Sequence, residues 1–151
     1  MFSYPPTLTE YTSFLYGALV GIDQVLLPST SPGIAMSFQV ATDTVNDSIA
    51  IGSQTLYTIA VYNLGADRLV NYAVDAQGQT YFHDLREELR LWDPKVGIPS
   101  SANDGGTAVG ILNPEQLRLL TLDDLQMLKT PWGRRYMGIA QKYGQDIWGL
   151  S

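Results

Sequence analysis

The segment Gln54–Val74, QTLYTIAVYNLGADRLVNYAV, limits what this chain can become more than any other stretch. From Leu56 to Leu64 it is apolar almost all the way round, relieved only by Thr58 and Asn63. Ala66, Leu69, Val70 and Ala73 then follow at three- and four-residue steps, the period of a helix. A helix apolar on every side must be covered on most sides, so the rest of the chain has to wrap it. Gly65 costs about 1 kcal/mol relative to alanine inside such a helix, which predicts a close approach to its backbone. The expectation is a mainly α, small helical domain around a central buried helix.

At 151 residues the chain holds one domain's worth of core. Only 16% of it is charged, well under the usual quarter, and 11% is aromatic, so part of the surface is suited to being covered by partners. With no cysteine, a disulfide framework, a thiol nucleophile and cysteine-ligated zinc are all excluded. The N-terminus lacks a basic leader and carries Pro5-Pro6 and Glu10, and no long apolar run spans a bilayer, so neither a secretory signal nor membrane association is expected. The net charge of −6 is unevenly laid out. Met1 to Asp67 holds no Lys or Arg, whereas Lys129, Arg134, Arg135 and Lys142 close the chain with no acid among them. That polarity argues against nucleic-acid binding by the whole domain. It suits self-association or an acidic partner, although cations also favour the last turns of helices for local reasons.

In chain order, Thr7 or Thr9 caps a first helix running to about Val20, with Tyr11, Phe14, Leu15, Ala18 and Leu19 as its apolar stripe. Ser31-Pro32 opens a second helix through Ile34, Phe38, Ala41 and Val45, with a short strand as the competing reading. Asp47 or Ser53 caps the central helix. Thr80 to Leu91 is amphipathic, with Phe82, Leu85, Leu89 and Trp92 on one side and Asp84, Arg86, Glu87, Glu88 and Arg90 on the other. Asp93-Pro94 ends it. A long loop occupies 93–113, with a short strand from Thr107 to Leu112. Thr121 then caps a helix through Lys129, and Thr130-Pro131 opens another, with Gly144 as its terminator. The organisation is a helical domain over 1–128 and a C-terminal helix with an extended arm over 129–151.

Catalytic signals are sparse. His83 is the sole histidine, and with Asp84 or Glu87 it sketches an acid/base pair, but no second histidine or cysteine completes a metal site. A solvated helix face is the stronger reading of these residues. The glycines at 105, 106 and 110 fit neither a P-loop nor a dinucleotide fingerprint. No catalytic, metal-ligating or cofactor-binding residue is therefore nominated. Interaction surface remains: Trp132, Arg134, Arg135, Tyr136 and Tyr143, then Ile147, Trp148 and Leu150 in the terminal arm, are of types found at interface hot spots or apolar anchors. The aromatic residues of the helix serve equally well as this domain's own core.

Taken together, the stretch from Leu56 to Leu64, Asp67-Arg68-Leu69 to Tyr72, Tyr81-Phe82 to Asp84-Leu85-Arg86, Asp104-Gly105-Gly106-Thr107 and the run from Leu122 to Leu150 carry a resemblance. The sequence resembles the head-to-tail adaptor proteins of tailed bacteriophages, the head-completion or connector proteins of the neck. The terminal TPWGRRY, IAQ, YG and WGL are its most telling parts. The resemblance implies a homo-oligomeric ring, of twelve copies, between the portal protein and the tail or nozzle, in the virion, assembled in the host cytoplasm. DNA would pass through an acidic lumen without sequence-specific binding. The arm from Lys129 to Trp148 would dock on the portal, and loop residues Asn103, Asp104, Thr107 and Val109 would touch a neighbour or the tail. No enzyme activity or cofactor is implied. A tail-completion protein binding the tail tube is the alternative within the virion, and a small enzyme using His83 the alternative outside it.

Overall fold

A computed structural model describes residues 2–93 and 122–143. Seven helices and no strand occur among them. They are α1 (Leu8–Ala18), α2 (Pro32–Thr44), α3 (Ser48–Gly52), α4 (Gln54–Tyr72), α5 (Tyr81–Glu88), α6 (Leu122–Met127) and α7 (Pro131–Tyr143). The domain is mainly α, as its periodicities predict. The expected strand at 107–112, the loop 93–113 beyond Asp93, the Thr121 cap, Gly144 and the part of the terminal arm beyond Tyr143 lie outside the described residues.

Helix α4 is the axle. Every residue from Tyr57 to Val70 except the half-buried Ile59 is buried. Its broadest contacts are with α7 and α2, while α1, α3 and α5 cover smaller parts. Ser53 is its cap, accepting a hydrogen bond from the Leu56 amide at 3.3 Å. Asp47 instead precedes the five-residue α3, which periodicity is too short to reveal. At Ala73 the backbone becomes extended and the helix stops.

Along one side of α4 runs an aromatic cluster. Tyr62 lies 5.7 Å from both the Tyr11 and the Phe14 rings, and Phe2 closes over it edge-on at 5.3 Å. Offset and edge-on rings of this kind add to the burial of their area. The Tyr11 hydroxyl reaches Ser37 at 2.8 Å, linking α1 to α2. Tyr11 passes over Gly65, where a Cβ would come within 2.7–2.8 Å of its ring and hydroxyl. The helix glycine is a packing notch.

Helix α1 begins where Thr7 caps it, and the Ser31-Pro32 start of α2 also holds, which excludes the strand reading of that segment. Two assignments on α5 need correction. The helix ends at Glu88, and Arg90 turns left-handed at φ 54°, so the expected register does not survive to residue 92. Leu91 is buried in its place, and Trp92 is 65% exposed. Arg86, assigned to the solvent face, turns inward and donates from Nη1 to the Val70 and Ala73 carbonyls at 3.0 and 2.8 Å. These carbonyls sit at the C-terminal end of α4, where a cation is favoured. The start of α5 is held by the Asp75 carboxylate, which accepts from the Phe82 and His83 amides at 2.6 and 3.0 Å.

Candidate functional site

Helix α7 brings the sequence-nominated residues to α4 through a buried polar seam. Thr130 stands just ahead of Pro131 and is fully buried. Its hydroxyl donates to Asp67 Oδ1 at 2.5 Å and accepts from the Gly133 amide at 2.8 Å, so one oxygen caps α7 and ties it to the centre of α4. Nearby, Gln126 Nε2 donates to Asn71 Oδ1 at 2.7 Å, and Lys129 Nζ to the Leu91 carbonyl at 3.0 Å. Asp67 and Lys129, two of the charges in the uneven layout along the sequence, are core residues. A polar group can be buried once its hydrogen bonds are made, and here the partners come from residues tens of positions away. Gly133 is required for the closeness of this contact. A Cβ there would run into the Met127 carbonyl oxygen and lie 2.8 Å from Asp67 Oδ1.

The nominated residues divide accordingly. Tyr136 is 4% exposed and belongs to the domain's own core, so its ring is not offered to a partner. Tyr143 is half-buried, its ring against Gly52. Arg134 is exposed, but its Nη1 donates to the Leu128 carbonyl at 2.9 Å. Trp132 and Arg135 are the two that α7 presents to open space. Asn103, Asp104, Thr107, Val109, Ile147, Trp148 and Leu150 fall outside the described residues.

Trp132 is half-buried between two adjoining hollows. The first, about 440 Å³, lies between α1 and α7, bounded by Ser13, Phe14, Gly17 and Arg135. The second, about 430 Å³, is bounded by Leu19, Val20, Tyr81, Asp84, Leu85 and Glu88. Ala18 and Trp132 line both, so the two form one trough with an indole at its middle. The Tyr81 hydroxyl donates to the Val20 carbonyl at 2.8 Å and holds α5 beside α1. Burial first, and the Glu88 carboxylate second, push this phenol above its ordinary range. One end of the trough carries Arg135, and the other carries Asp84 and Glu88. The acidic wall was missed in sequence, though Tyr81, Asp84, Leu85 and Glu88 do share one flank of the helix at steps of three and four.

A separate apolar groove of about 140 Å³ runs between α2 and α4, walled by Met36, Val40, Leu69 and Tyr72. Met36 is 67% exposed and Tyr72 72%, and none of the groove's lining residues belongs to the trough. His83 stands exposed on α5 and lines none of these three hollows. Among the described residues, no three His, Asp or Glu side chains come together in a group that would hold a metal ion. No helix there is long and apolar enough to cross a membrane. Comparison with protein families, curated proteins and solved structures finds no match for this chain.

Proposed function

We propose that this chain is a structural protomer of a tailed-bacteriophage neck: a head-to-tail adaptor that assembles as a ring between portal and tail, around the DNA channel. The observation that carries the reading is the pair of unrelated surfaces, the Trp132 trough on α1, α5 and α7 and the Met36–Tyr72 groove on α2 and α4. A ring needs two different faces on each subunit, because each copy meets one neighbour by one face and the next by another. Exposed apolar side chains beside a groove are the usual material of such contacts. The sequence resemblance supplies the setting, and the acidic charge balance suits a channel through which DNA slides. An enzyme built on His83 is disfavoured by the open position of that side chain, away from the hollows, since reacting groups converge in pockets.

Electron microscopy of the protein mixed with portal rings of a tailed phage tests this. The expected result is an added annular layer matching the portal's symmetry, lost when Gln145 to Ser151 are removed and unaffected by His83→Ala. A protein that leaves the portal bare overturns the adaptor reading. Binding to tail tubes in its place would make it a tail-completion protein.

A further inference from the structure

The trough is charged in opposite senses at its two ends. Arg135 is exposed and makes no hydrogen bond or ion pair within the described residues. Other cations are occupied: Arg86 on the end of α4, Arg90 on Asp93, Lys129 on Leu91. At the far end Glu88 is exposed, and among the described residues Asp84 meets only the Thr80 hydroxyl, at 2.9 Å. Between them sits the half-buried indole of Trp132, and the α1 wall at Gly17 is open, with nothing within 4 Å of where a Cβ would be. A surface can pair with its own copy only if it matches its half-turn image. This one does: a half-turn about an axis through Trp132 exchanges the basic end with the acidic end.

We propose that in the free protein two copies pair through this trough, Arg135 of each reaching Asp84 and Glu88 of the other across Trp132. Exposed ion pairs contribute little on their own, so the charges set register and exclude wrong alignments while the indole and its apolar surroundings supply most of the attraction. Such a pair closes on itself and cannot grow into a ring. It would therefore hold the subunit in reserve and open before assembly. The pairing itself stands independently of the adaptor reading, and only its reserve role rests on that reading.

Sedimentation of the full chain over a range of concentrations and salt tests it. The expected behaviour is a reversible monomer–dimer equilibrium weakened by salt, as exposed charges are screened. Arg135→Glu should weaken pairing by about tenfold or more, and so should Asp84→Lys with Glu88→Lys, each variant keeping its helical circular dichroism. Mixing the two variants should restore pairing as a heterodimer, because both contacts then join opposite charges. A chain that stays monomeric at every concentration overturns the proposal. So does pairing indifferent to both charge reversals, an unrestored mixture, or a free assembly larger than two.

Discussion

A methyl group added at residue 65 has nowhere to go, because the Tyr11 ring and hydroxyl already lie 2.7–2.8 Å from where its carbon would stand. Alanine gains up to about 1 kcal/mol in helix propensity over glycine. Overpacking a filled core costs about 1–3 kcal/mol. Strain wins, and Gly65→Ala should lower stability by about 1–2 kcal/mol in urea unfolding. Gly17→Ala is the control, since Gly17 lies in α1 with nothing within 4 Å of its missing Cβ. There the propensity acts alone, and the same substitution should stabilise by about 0.5–1 kcal/mol. Equal signs at the two sites would refute the notch. At this scale much was legible in the sequence. Thr7, Ser53 and Thr130 cap as their residue types foretell, because a cap depends on an amide only three residues away. Asp67 and Lys129 were not legible. Their burial depends on Thr130 and on the Leu91 carbonyl, which the fold alone brings near.

Between elements, the decisive join is α7 on α4. It is made close by Gly133 and specific by the Thr130–Asp67 bond. Gly133→Ala meets backbone at Met127, and a carbonyl cannot swing aside as a side-chain tip can. The expected cost lies at the upper end of the roughly 1–3 kcal/mol range for overpacking. Hydrogen exchange should locate it, with α7 amides losing protection well before those of α2. Uniform loss across all helices would mean the join is not a separable unit. Periodicity foretold the helices that pack here, because burial repeats with the turn. It misplaced Trp92 and Leu91 because a single left-handed residue, Arg90, resets the phase, and nothing about arginine announces that conformation. The trough was half visible. Trp132 and Arg135 stood out by residue type, whereas its acidic wall looks like any solvated face until α1 and α7 are packed beside it.

For the molecule as a whole, the tyrosines set the alkaline limit. Burial pushes the Tyr57 phenol up to about 12 from the ordinary 10, with Asp47 adding to the shift, and pushes Tyr11 higher still. Ionisation is thus easier in the unfolded chain. The stability these groups contribute is fully present below pH 10 and is lost as pH rises through the folded-state value near 12. Thermal melts should hold level up to pH 10 and then fall, with phenolate absorbance from the buried rings appearing only as the helices melt. Titration of all nine tyrosines near pH 10 with the fold intact would contradict this.

The Leu91 carbonyl and the side chains of Gln126 and Lys129 have a consequence for how the chain can vary. They fasten residue 91 to residues 35 and 38 positions further along the chain, through contacts of 3.4 and 3.0 Å. The free energy of closing the chain between two such points grows only with the logarithm of its length. Lengthening or shortening the chain between residues 94 and 121 therefore costs this fastening little, and such variants should keep the described helices as they are.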